Sequence, residues 1–154
     1  MIWCVTHDGD PAAYRLMTRH YSFQRYKDGR RSDMRNPNRF MFVGPGEKMV
    51  LVTPDYSALF VWRKFIDDSG QTGINCAVFR NESNILSSEL ILEAEKLAQL
   101  RWPGERLYTY VNEEKTKKRR GKKNPPGQCF IMAGWNECGK TKSKGLIILE
   151  KEVR

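Results

Sequence analysis

Hydrophobic and polar positions repeat along this chain in two different periods, and the switches between them mark out its elements. "DPAAYRLMTRHY" offers Asp10 as an N-cap and Pro11 at the first helical position, which predicts a short helix over 11–21. A polar, arginine-rich loop follows it. "RFMFVG", "KMVLVTP" and "SALFVWRKF" are rich in β-branched and aromatic residues and are broken by "GPGEK" and "PDY", so they predict an antiparallel meander. "GINCAVFRNES" reads as a further strand. "LSSELILEAEKLAQLRWPG" puts Leu86, Leu90, Ala94, Leu97 and Ala98 on one face, with Glu89 in its first turn, Arg101 in its last and Pro103-Gly104 as the stop, which predicts a long helix over 86–101. "RLYTYVN" is a strand. In "NPPGQCFIMAGWNECGKT" a Pro-Pro-Gly entry leads into about two helical turns over "QCFIMA", ended by Gly134-Trp135 before "NECGKT" resumes as strand. After the "TKSKG" turn, "GLIILEKEV" forms the last strand. No internal repeat interrupts this order.

The expected architecture is an α/β (α+β) domain with a mixed, mostly antiparallel sheet flanked by helices. A chain of 154 residues fits one domain, 1–154, and at that length it can bury roughly two-thirds of its unfolded surface without staple or metal. The longest apolar runs, "ALFVW" and "LIIL", fall far short of the roughly 18 residues of a membrane helix, and "MIWCVTHDGD" has no signal-peptide pattern. The expectation is a soluble, cytoplasmic protein with no membrane partner. Cys4, Cys76, Cys129 and Cys138 stand far apart and read as reduced thiols packed as small hydrophobes. Cys4 and His7 form a C-x-x-H pair with no second pair at zinc-finger spacing, so the metal question stays open.

Charge adds a candidate partner. The chain carries 27 Lys and Arg against 18 Asp and Glu, net +9, and the excess is concentrated. Residues 115–123, "KTKKRRGKK", hold seven basic residues and no acid; residues 15–39 hold eight basic residues against Asp28 and Asp33. The rest of the chain is net acidic. Phosphate neutralisation depends on local density of charge, so two basic patches on an acidic body fit a polyanion, with nucleic acid the expected partner. The solvated loop is the alternative for 115–123. The 15–39 patch interleaves its arginines with Tyr14, Tyr21, Phe23, Tyr26 and Phe40, a mixture that stacks on bases while holding phosphates. Arg25, Arg30, Arg31, Lys117, Lys118, Arg119 and Arg120 are the candidate nucleic-acid contacts.

The order strand, long helix, strand, short helix, Gly-aromatic, strand, strand over about residues 74–150 resembles the GNAT acyltransferases, with "FIMAGW" where those enzymes carry "YEKxGF". The resemblance implies a GNAT-like sheet and an acyl-CoA-type donor held at the start of the long helix. Those enzymes open that helix with a glycine-rich loop; this chain has "NESNILSSEL", so Ser87 and Ser88 are what it can offer an anion there, or else they cap the helix. Cys129 and Phe130 fall in the matching short helix, Phe130 at the position of a tyrosine used as general acid. A phenyl ring donates no proton.

"RHYSFQRY" is similar to the His-Tyr-Ser element of the phage Mom-type DNA-modification proteins, a divergent GNAT branch without the glycine loop. That resemblance implies transfer of a carbamoylmethyl group to the exocyclic amine of adenine, which masks restriction sites, in the cytoplasm of a bacterial host. It implies roles for His20, Tyr21 and Ser22, and for an acid after the strand "YTYVN", where this chain has Asn112 followed by Glu113 and Glu114. Iron is implied by the resemblance alone. Independently of any family, His20 can serve as a base near neutral pH and Tyr21 can stack or donate; a histidine at a helix end is otherwise a capping or surface residue. Two other functions remain open: a conventional GNAT acetyltransferase acting on a protein or small amine, and a non-catalytic GNAT-fold protein that binds nucleic acid.

Overall fold

The computed structural model describes residues 2–20, 37–66, 70–114, 127–142 and 144–152. In chain order the elements are β1 (Cys4–Thr6), α1 (Pro11–Thr18), β2 (Glu47–Val52), β3 (Ala58–Lys64), β4 (Ile74–Asn81), α2 (Ser87–Arg101), β5 (Leu107–Val111), α3 (Gln128–Met132), β6 (Asn136–Lys140) and β7 (Ile147–Lys151). One seven-stranded sheet has the order β1-β2-β3-β4-β5-β7-β6. Every neighbouring pair is antiparallel except β4 and β5, which are parallel because α2 carries the chain back between them. This is the mixed, mostly antiparallel α+β sheet expected from the pattern. Among the described residues no helix is long and apolar enough to cross a membrane.

Each face of the sheet has its own core. On one, α2 and α3 cover Leu51, Phe60, Trp62, Ile74, Leu107 and Leu149. The indoles of Trp3 and Trp62 donate to the carbonyls of Leu90 and Ala94, each at 2.9 Å, and so fasten β3 and the residue just before β1 to successive turns of α2. On the other face α1 buries Ala13, Leu16 and Met17 against Val50, Val52, Leu59, Val61 and Val78. A fully buried aliphatic side chain of this size contributes about 1.5–3 kcal/mol.

Several expected details differ. The first helix ends at Thr18, with Arg19 as its C-cap. "RFMFVG" is a loop: the Asp8 carboxylate takes the amides of Phe42 (2.9 Å) and Val43 (3.3 Å), groups a strand would have given to a neighbour. Phe42 and Val43 still pack on the α1 core, which accounts for their apolar character. β1 was not anticipated. Leu86, expected on the buried face of the long helix, is its N-cap and 62% exposed, while Ile91 and Glu95 are buried. Only Cys76 among the four free cysteines is fully buried; Cys129 is half-buried, and Cys4 and Cys138 are exposed.

The Gly134-Trp135 exit is a helix stop built from hydrogen bonds. The Trp135 amide donates to the Phe130 carbonyl (3.0 Å) and the Gly134 amide to that of Ile131 (2.9 Å), the paired bonds of a Schellman turn. Gly134 takes φ +98°, a conformation costly for any residue with a Cβ. The Trp135 ring then packs edge-on against Phe130 at 4.8 Å and parallel to Trp62 at 6.3 Å. Trp135 Nε1 donates to Glu95 Oε2 (3.1 Å), and Lys151 Nζ donates to Glu95 Oε1 and the Ala133 carbonyl, both at 2.8 Å. The buried Glu95 is therefore paired and satisfied. At the entry, a Cβ on Gly127 would run into Leu149 Cδ1, so the backbone itself packs on β7.

Asp10 caps α1. Its carboxylate accepts from the Ala12 amide (3.0 Å), the Thr6 hydroxyl (2.7 Å) and the Tyr56 hydroxyl (2.8 Å). Burial pushes this carboxyl up, but the hydrogen bonds outweigh burial and hold it below its ordinary value near 3.8. A group depressed in the folded state stabilises above its unfolded value and loses that contribution as pH falls through the folded one. Asp10→Ala is expected to cost about 0.5–2 kcal/mol at neutral pH. In urea titrations the gap between parent and variant should narrow below about pH 4; a gap that stays constant down to about pH 2 would contradict the assignment.

Candidate functional site

The parallel pair parts. β4 and β5 are joined only through Ile74, Asn75 and Cys76 opposite Leu107, Tyr108 and Thr109. Just beyond, the β3–β4 register passes from Trp62↔Cys76 to Val61↔Val78, so Ala77 is an extra residue that bends β4. The Thr109 hydroxyl donates to the Cys76 carbonyl at 2.9 Å, the last described link before the strands separate. Such a gap outside the carboxyl ends of parallel strands leaves room for a ligand.

Four parts of the chain meet at this end of the sheet. α2 starts there: Asn81, closing β4, donates through Nδ2 to the Ser87 hydroxyl (2.9 Å) and the Ile85 carbonyl (2.8 Å). The Leu86 cap makes no side-chain bond, and its carbonyl takes the amides of Glu89 and Leu90, so those of Ser87 and Ser88 lie ahead of the helical ladder with the positive end of the helix dipole. α3 starts against Val111 and Leu149 through Gly127. Asn112 follows directly on β5 and is half-buried. From the other face, the end of α1 is tied in by Arg19, which binds Glu82 with Nε at 2.6 Å and Nη2 at 3.0 Å. Arg80 joins the same carboxylate at 3.0 Å. The Arg19 guanidinium, ahead of the opposing effect of burial and the help of Arg80, holds the Glu82 carboxyl below the usual range.

His20 is the next residue, half-buried, with its backbone amide on the Met17 carbonyl at 2.9 Å. Its place at the parted strands is thus set by an ion pair spanning 63 positions of sequence. His20, Ser87, Ser88 and Asn112 are brought to one end of the sheet. Tyr21, Ser22, Phe23, Arg25, Tyr26, Arg30, Arg31, Lys117, Lys118, Arg119 and Arg120 lie outside the described residues.

The short helix supplies packing. Phe130 is buried against Trp135 and Phe79. Burial pushes the Cys129 thiol up to about 11, and burial, with Cys129 nearby, pushes Cys76 higher still. At neutral pH both are protonated, and a thiol is a poor nucleophile. Among the described residues no three or more His, Cys, Asp or Glu side chains form a donor set for a metal. Arg19, Arg80, Glu82 and Thr109 were not anticipated as parts of the site. The one hint was that Arg19 belongs to the basic patch of residues 15–39.

The chain is thereby defined as a mixed α+β domain whose single parallel strand pair opens at the end where three helices converge. No family model, curated protein or solved structure matches it.

Proposed function

We propose that the protein is a GNAT-type transferase of the Mom-like kind, which modifies the exocyclic amine of adenine in DNA. The observation that carries this reading is the anchoring of His20 beside the parted β4 and β5 through Arg19 and Glu82. An acceptor base reaching the gap from the α1 face would meet that histidine. The strand order, with one parallel pair and a helix between its members, is what the GNAT resemblance leads one to expect, and so supports the same reading.

The chemistry follows from the substrate. The adenine amine is a weak nucleophile because its lone pair is delocalised into the ring, so the base has to leave the stack and its proton has to be taken as the new bond forms. His20 is suited to take that proton near neutrality. Tyr21 and Ser22 follow it in the chain and are assigned to gripping the base. Phe130 cannot serve as an acid, which leaves proton handling to the α1 end, while the Asn112 carboxamide can hydrogen-bond the base without exchanging a proton. An acyl-CoA-type donor would supply the electrophilic carbon, its thioester C–S bond breaking as the N–C bond forms and coenzyme A leaving as the thiol, with Ser87, Ser88 and Cys129 nearest its expected path. The uncapped start of α2 at the same end favours, as a second reading, a conventional acetyltransferase.

Mass spectrometry of nucleosides from cells expressing the protein is the test. A new adenine derivative is expected; unmodified DNA together with tight acetyl-CoA binding would select the second reading. The 115–123 run is assigned to DNA phosphates. Replacing Lys117, Lys118, Arg119 and Arg120 with glutamine should weaken binding alike at all sequences and flatten its salt dependence by up to about 0.9 per lost contact. An unchanged slope would make the run a solvated loop.

A further inference from the structure

We infer that the β6–β7 hairpin is a phosphate-contacting surface for duplex DNA, carried by Lys140, Lys142 and Lys144. The inference rests on the DNA-modifying reading but concerns residues outside the basic patches seen in the sequence.

Register places the hairpin beside the candidate site. Ile147 pairs with Lys140 on one side and with Val111 on the other, so Lys140 and the end of β5 lie in one row across the sheet. Asn112 is one residue beyond Val111. Gly127, which packs on Val111 and Leu149, lies at this same end.

The tip is built to hold its shape. The Thr141 amide donates to the Leu146 carbonyl (2.9 Å), the Leu146 amide to the Thr141 hydroxyl (2.9 Å), and the Gly145 amide to the Thr141 carbonyl (3.1 Å). Lys140, Lys142 and Lys144 are all exposed, and among the described residues none of them is in an ion pair. The opposite end of the sheet is different: there Lys64 is matched by Glu105, Arg101 by Glu47 and Arg106 by Glu150. A cation already paired has little to gain from a phosphate, whereas an unpaired lysine releases a condensed counterion from DNA when it binds. The described lysines without an ion pair are therefore gathered at the end where His20 and the parted strands are. A duplex laid across this end would touch the hairpin while one base is extruded toward the gap.

The test is binding of a duplex oligonucleotide at several salt concentrations, comparing the parent protein with Lys140→Gln/Lys142→Gln/Lys144→Gln. The slope of log affinity against log salt is expected to fall by up to about 0.9 for each lysine in contact. Lys96→Gln, on α2 and paired with Glu93, should leave the slope unchanged. These lysines bury nothing, so the thermal midpoint serves to confirm that the triple variant is folded. An unchanged slope in the folded triple variant overturns the inference, whether or not the parent modifies adenine. A reduced slope with no modified nucleoside would uphold the surface and overturn the enzymatic reading.

Discussion

Cells expressing His20→Ala are expected to carry about 10²- to 10⁴-fold less modified adenine than cells expressing the parent, the usual worth of a positioned acid–base group. The fold should survive the change. His20 is half-buried at the end of α1, its backbone amide bond to Met17 is kept by alanine, and the Arg19–Glu82 pair that anchors the helix end is untouched. A thermal midpoint within a few degrees of the parent is the expected companion result. If His20 only capped the helix, activity and stability would fall together instead. Tyr21→Phe tests the neighbouring residue in the same assay. Parental levels of modification in both variants would remove the Mom-like reading and leave the conventional acetyltransferase or the silent nucleic-acid binder.

Trp135→Ala is expected to give the largest loss of stability, about 3–5 kcal/mol, a substantial part of what holds a domain of this size together. The side chain is 1% exposed. Its removal opens a cavity between Trp62 and Phe130 and takes away the indole donor to Glu95, leaving that carboxylate with Lys151 alone. Trp135→Phe keeps most of the packing and loses the N–H, for about 1–3 kcal/mol. Urea midpoints order the two variants. If Trp135→Ala unfolded at the parental midpoint, the corner that positions α3 would not be part of the core.

The long helix was legible because fifteen residues in one period outweigh any single exception, and a charge of the right sign stands at each end. Its buried face was only partly legible. Glu95 carries a charge in a position the pattern assigns to solvent, and its burial makes sense only with Trp135 and Lys151, forty and fifty-six positions away, in place. "RFMFVG" misled for the converse reason. Alternation and β-branched residues describe a surface that fits a sheet, yet a strand also needs a neighbour's backbone, and Asp8 had already taken two of its amides. β1 is three residues long and exists through its pairing with β2, so it leaves no periodic trace.

The candidate site divides along the same line. His20, the two basic patches and the Gly-Trp exit are visible in the sequence because their chemistry belongs to residue types and to local backbone geometry: an imidazole can accept or donate a proton, and a glycine relieves a left-handed turn without help from afar. The alternating order of elements, and with it a mixed sheet flanked by helices, also follows from local periods. What the tertiary structure alone decided is where the described elements meet. The bulge at Ala77, the parting of β4 from β5, the Arg19–Glu82 anchor and the unpaired lysines of the hairpin all depend on contacts between residues far apart in the chain. The energy of such contacts is set by distance in space, and separation along the sequence carries no record of it.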